Sequence, residues 1–179
     1  MYYIGIDLGG TTIKGGIVTE DGKIIKSKSS PTLPEREGNE IVKSMAMLAL
    51  ELIEEEGINI SDVHSVGIGA PGLIDSKNKV IVASSNINFD NTKVEEEMKK
   101  YIDLPIYLEN DANCATIAEF VCGSMKGYKD GIMLTIGTGV GGGIILDGKV
   151  AKGSYLGEGE LGHTIIDYTG GDYCGCGQK

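Results

Sequence analysis

No apolar run in this chain approaches the ~20 residues that a membrane-spanning helix needs, and no motif of the form Gly-x-x-x-x-Gly-Lys-Ser/Thr is present. Positive charge is scarce. Sixteen Lys and Arg stand against 26 Asp and Glu, a net charge of −10, which argues against non-specific binding to nucleic acids or anionic membranes, since both need clustered cations. The N-terminus lacks a basic stretch followed by an apolar one, so no secretory signal is expected. With only four cysteines, that predicts a reducing, cytoplasmic setting and thiols that are free or metal-bound rather than paired. Glycine is what the chain has in excess. Its 28 residues among 179 are about twice the usual share, and they gather at 137–143 and 153–177.

The glycines belong to a pattern that occurs twice. The first copy runs Ile4-Gly5-Ile6-Asp7-Leu8-Gly9-Gly10-Thr11-Thr12-Ile13-Lys14 and ends at Asp21-Gly22. The second runs Ile132-Met133-Leu134-Thr135-Ile136-Gly137-Thr138-Gly139-Val140 and ends at Asp147-Gly148. Each predicts a strand, a Gly-Thr turn, a second strand and an Asp-Gly hairpin whose central residues accept positive φ. Turn glycines let backbone N–H groups face an anion such as a phosphate. Two copies suggest a duplicated fold that closes on a nucleotide from both sides; tight structural hairpins are the plainer alternative. Residues 137–142 also match Gly-x-Gly-x-x-Gly, but that fingerprint needs a helix directly after it, and a strand is expected here.

Strands are predicted at 2–7, 13–18, 23–28, 63–70 and 106–108. A helix over 39–56 follows from Ile41, Met45, Leu48 and Leu52 at helical spacing, with Val42, Ala49 and Ile53 widening the stripe and Gly57 ending it. Thr92-Lys93-Val94-Glu95 reads as a capping box opening a short helix to about Tyr101, and another helix fits 112–122. A meander followed by alternating helices and strands indicates an α/β domain with a mixed sheet. Residues 1–122 are expected to form it, and 123–179 to begin a second domain that looks incomplete.

Asp7 ends a central strand beside the first Gly-Thr turn, where ligands of α/β folds gather; it suits Mg²⁺ held through water, or merely forms the turn. Lys14 reads as a phosphate contact or a solvated strand residue. Asp111 stands at a strand-to-helix junction, as helix cap or as a base for phosphoryl transfer, whose loose transition state asks little of it early on. Asn110 offers a hydroxyl both a donor and an acceptor. Glu160 and His163 suit adjacent hydroxyls of a polyol. His163 with Cys174 and Cys176 supplies three soft ligands of the kind zinc prefers, whereas a Cys174–Cys176 disulfide is not expected at one-residue spacing. Cys114 and Cys122 read as buried packing residues, and His64 as structural.

In this order, the motifs resemble the ROK family of bacterial sugar kinases, and most closely its glucokinase-like members. Asp7–Lys14 is similar to the family's first phosphate motif, Gly137–Gly143 to the second, and Glu109–Asn113 to the segment with the catalytic aspartate. Gly159–His163 is similar to the sugar-contacting stretch and Cys174–Gly177 to the start of the zinc loop. The resemblance implies an actin-like, ribonuclease-H-like ATPase fold and ATP-dependent phosphorylation of a hexose, usually at the 6-hydroxyl. It implies Asp111 as the base, with Asn110, Glu160 and His163 on the other hydroxyls and Gly72 and Asn86 lining the pocket. Asp7, Gly9, Gly10, Thr11, Thr12, Lys14, Gly137, Thr138 and Gly139 hold ATP and Mg²⁺ on this reading. His163, Cys174 and Cys176 hold a structural Zn²⁺, and a homodimer is expected.

The family's zinc loop continues with a further cysteine and a sugar-contacting glutamate that fall beyond Lys179, so the chain reads as the N-terminal part of a longer kinase. A sugar-sensing repressor of the same family and a catalytically silent fragment are the alternatives. A repressor carries a helix-turn-helix ahead of the first motif, and none precedes Asp7.

Overall fold

Two antiparallel meanders realise the repeat read in the sequence. Strands β1 (Tyr2–Leu8), β2 (Thr12–Thr19) and β3 (Ile24–Pro31) lie side by side in one sheet. Further along, β9 (Gly131–Ile136), β10 (Val140–Leu146) and β11 (Lys149–Val150) repeat that order in another. The computed structural model describes residues 1–137, 139–154, 157 and 159–173. They fall into two compact units, Met1–Cys114 and Ala115–Lys179; the division lies inside a helix, whereas the sequence places it after Cys122. No helix among the described residues is long and apolar enough to cross a membrane.

In the first unit the meander is extended by β4 (Val63–Ala70) and β8 (Ile106–Asn110), giving the order β3-β2-β1-β4-β8. β1, β4 and β8 are mutually parallel, and β2 runs antiparallel to both its neighbours, β1 and β3, the mixed sheet expected. Helix α1 (Gly38–Glu55) buries the whole stripe from Ile41 to Ile53. It can approach β2 closely because Gly15 carries no side chain; a Cβ there would lie 2.8 Å from Leu52 Cδ1. Gly57, at φ 67°, ends the helix as a Schellman motif, with its N–H on Glu54 O and the Ile58 N–H on Ile53 O, as the sequence predicts.

The capping box is not formed. Thr92 lies in β7 (Asp90–Lys93), paired with Ile81 of β6 (Val80–Ala83). It is buried, and α2 (Val94–Met98) starts without a side-chain cap. The Glu95 carboxylate instead meets Lys79 at 2.7 Å and Lys99 at 3.0 Å. Ladder bonds and burial of Thr92 outweigh the cap, worth about 1 kcal/mol. β5 (Leu73–Asp75), β6 and β7 form a small sheet that the sequence did not announce.

The two Asp-Gly turns differ. Asp147 (φ 47°) and Gly148 (φ 75°) both take positive φ in a two-residue hairpin. In the first copy only Gly22 does (φ 84°), with its N–H bonded to Thr19 O.

Candidate active site

In the first unit the ends of three adjacent parallel strands line up. Asp7 of β1 is level with Gly69 of β4, and Gly69 with Glu109 of β8. With strands about 4.8 Å apart, the Asp7 and Glu109 backbones stand about 10 Å from each other. Such carboxyl ends are where α/β sheets bind ligands.

The turn after β1 is tight. The Gly9 N–H donates to Thr12 O at 3.0 Å, and the fully buried Thr32 fastens it from outside. Its hydroxyl donates to Gly9 O at 2.7 Å and its N–H to Thr11 O at 3.0 Å. Thr32 follows Pro31 with no signal that would have revealed this role. Lys14 does not stand alone: its Nζ lies 3.3 Å from Asp7 Oδ2, directly across the β1–β2 ladder, with both side chains exposed.

Beyond β4, Gly72 takes φ 101°, a conformation open chiefly to glycine. A Cβ there would strike Ala83 O and come within 3.1 Å of Ser84. The same segment leads to Asn86, whose Cβ lies 3.9 Å from where a Cβ on Gly10 would be. The Asn110 amide donates to Gly72 O at 3.4 Å. Gly10 thus neighbours Asn86, and Gly72 neighbours Asn110.

At the β8 end, helix α3 (Asp111–Cys122) starts without an intervening loop. Its cap is Asn110, whose Oδ1 accepts the N–H groups of Ala112 at 2.9 Å and Asn113 at 3.2 Å. The capping duty that the sequence allowed Asp111 therefore falls on its neighbour. Asp111 is the first helical residue, exposed, with Oδ1 2.8 Å from the Ala112 N–H. Gly69 lets α3 sit close: a Cβ on it would be 3.3 Å from Cys114 Sγ and 3.6 Å from Asp111 Cα. Glu109, not singled out from the sequence, accepts three hydrogen bonds at this junction.

In the second unit Gly137 and Gly139 are exposed at the tip of β9–β10, the Gly137 N–H donating to Gly139 O at 2.9 Å. Thr138 lies outside the described residues. Gly142 and Gly143 belong to β10 rather than to the turn, so only part of the glycine run serves the bend. Gly142 makes room for Gly159 O and Leu161, and Gly162 for Val140 O. Together they press residues 159–163 onto β10. There a short 3₁₀ turn, Leu161–His163, follows Glu160, whose Oε2 stands 3.8 Å from His163 Nε2. Cys174 and Cys176 lie outside the described residues, and among the described residues no three His, Cys, Asp or Glu side chains converge as a metal site.

Two smaller expectations resolve here. His64 packs against Tyr3, ring centroids 5.3 Å apart, a structural role as expected. Cys114 is half-buried, but Cys122 is exposed, its Sγ 3.2 Å from Ala118 O. It sits on the solvent side of α3, so the packing role read for it does not hold.

A glucokinase of Thermotoga maritima is 36% identical over 177 residues, covering 98% of this chain and 54% of that protein. The crystal structure of a ROK family glucokinase from Streptomyces griseus, in complex with glucose and AMPPNP, superposes with a TM-score of 0.86. It is 35% identical, with 100% of this chain and 55% of that one covered. A ROK family transcriptional regulator, a homolog of the E. coli MLC protein, gives a TM-score of 0.85 at 24% identity, over 99% of this chain and 44% of that one, and shares the fold alone. The chain spans about half the length of the curated relatives it matches. Its α/β architecture is the actin-like ATPase fold of the ROK glucokinases. The ROK family model matches residues 3–179, and the chain belongs to that family.

Proposed function

We propose that the whole protein is an ATP-dependent sugar kinase that phosphorylates a hexose, with glucose the expected substrate and Asp111 the general base. The observation that carries this reading is the division of labour at the β8–α3 junction. Asn110 caps the helix, which leaves the Asp111 carboxylate exposed one residue from the Asn110 amide that reaches Gly72 O. The glucokinase name of the Thermotoga maritima relative and the glucose in the Streptomyces griseus complex support the choice of substrate.

In this mechanism Asp111 orients the attacking hydroxyl and takes its proton as that oxygen bonds to the γ-phosphorus of ATP; ADP leaves. Asn110 has one amide hydrogen directed at Gly72 O and the other to offer a neighbouring hydroxyl. Gly72 and Asn86 line the pocket, and Glu160 and His163, three residues apart on the turn pressed against β10, take further hydroxyls. The turn at Gly9–Thr12 is assigned to phosphates on this reading, and the resemblance assigns Gly137 and Gly139 of the second unit to the same task. The exposed carboxylate of Asp7 at the end of β1 suits a hydrated Mg²⁺, which when bound neutralises charge on the phosphates. Lys14 balances Asp7 and is a second cation for phosphate oxygens. Of the three zinc ligands implied by the resemblance, only His163 is among the described residues, so no step is assigned to zinc.

The test is an ADP-release assay of the whole enzyme against a panel of hexoses. Asp111→Asn should bind hexose nearly as well as the parent while kcat falls by about 10³-fold, within the range of general-base contributions. Turnover near the parent level in that variant removes Asp111 as the base.

A further inference from the structure

We propose that Glu109 is the positioning residue for Asp111, and that it ties the base to the pocket wall through the β5–β6 hairpin. Its Oε1 accepts the Asn110 N–H at 3.0 Å and the Asn113 side-chain amide at 3.2 Å. Its Oε2 accepts the Ser76 hydroxyl at 3.0 Å. These donors come from the strand end, the first turn of α3 and the hairpin. Asp111 lies between the first two, so one carboxylate holds the backbone just before the base and the Asn113 side chain just after it.

The link to the pocket is closed by a second bond. Asn110 reaches Gly72 O while Glu109 reaches Ser76, so β5 (Leu73–Asp75) is bracketed by two bonds from consecutive residues of β8. Any shift of the Gly72 wall is thereby transmitted to the backbone beneath Asp111. The chemistry calls for a carboxylate in particular. An ionised Glu is acceptor-only, with about four lone-pair sites on two oxygens, and its hydrogen bonds are charge-assisted. Glutamine keeps one oxygen for the two amides and can offer its own N–H to the Ser76 hydroxyl, so it loses the charge assistance rather than the contacts; alanine removes the contacts themselves.

The inference rests on the reading of Asp111 as the base, and a double-mutant cycle in the whole enzyme separates the two. Glu109→Ala should lower kcat by about 30-fold, since a displacement of about 1 Å costs up to about 10²-fold. In the Asp111→Asn background the same change should alter the residual turnover by less than about twofold, because a positioning residue has nothing left to position. Ser76→Ala, which removes a single donor and leaves the carboxylate in place, should show the same pattern with a loss of about threefold; it keeps the test open should Glu109→Ala fail to fold. Unchanged kcat in both variants would overturn the inference. So would equal losses in the two backgrounds, which would make Glu109 a general structural support. Parent-level turnover in Asp111→Asn alone would instead overturn the reading of Asp111.

Discussion

Gly72 and Gly67 offer a matched test of how far the backbone dictates residue choice beside the site. At Gly72, alanine meets two penalties. Its φ of 101° lies outside the regions open to L-residues, at a cost of about 1–3 kcal/mol. Its Cβ would also strike Ala83 O and lie 3.0 Å from Ser84 Cα. Both are backbone atoms of a paired segment that cannot rotate away, so overpacking adds about 1–3 kcal/mol. The combined loss is about 4 kcal/mol. Gly67, in the middle of β4, has ordinary φ, and a Cβ there would have only Ile4 O at 4.0 Å. Alanine should therefore stabilise by about 0.4–1 kcal/mol, through the smaller entropy of the unfolded chain. Urea unfolding followed by circular dichroism reads both. With a slope of about 2 kcal/mol per molar urea, Gly72→Ala should lower the midpoint by about 2 M, while Gly67→Ala raises it by a few tenths. A loss below about 1 kcal/mol for Gly72→Ala, or a shift of the same sign in both variants, would refute the argument.

Two further predictions concern acid and metal. The Asn78 N–H, and after it the Asn78 side-chain amide, hold the Asp75 carboxyl below its usual range. Its stabilisation is therefore present above the unfolded pKa and lost as pH falls through the lower folded value. Thermal midpoints measured from about pH 5 down to about pH 2 should drop less steeply in Asp75→Ala than in the parent, and superimposable curves would count against the turn's role. Zinc analysis of the whole protein, purified without chelator, should find about one equivalent; under about a tenth would remove His163, Cys174 and Cys176 as ligands.

Elements that announce themselves by periodicity were legible in the sequence. The α1 stripe from Ile41 to Ile53 is wholly buried, and the repeated strand–turn–strand text became two meanders of equal strand order. The β5–β7 sheet was not legible. Its strands hold three or four residues, and β7 reads Asp-Asn-Thr-Lys, a run with one β-former. Pairing with β6 decides its conformation, and pairing is non-local. Thr92 shows the same competition: Thr-x-x-Glu is a sound local signal, overridden when the ladder claims the threonine. The glycine run was legible as a turn but not as a packing surface, because what Gly142 makes room for, Gly159 and Leu161, arrives from a distant stretch of chain.

The junction of Asn110 and Asp111 marks a sharper limit. Asparagine and aspartate cap helices about equally well, so no local rule says which of two adjacent residues takes the duty. The choice is made by where β8 stops. Its ladder with β4 continues to the Ala70–Asn110 pair, so Asn110 is the last residue with strand geometry and becomes the half-in position that a cap requires. Asp111 is then necessarily the first helical residue, with Oδ1 sharing the Ala112 N–H and the carboxylate exposed. Sheet register, set by core residues such as Ile68 and Leu108 that pair on the buried strands, thus determines which of the two side chains takes the cap. An inserted or deleted residue between Leu108 and Asp111 would pass the cap to another side chain without changing any residue the motif contains.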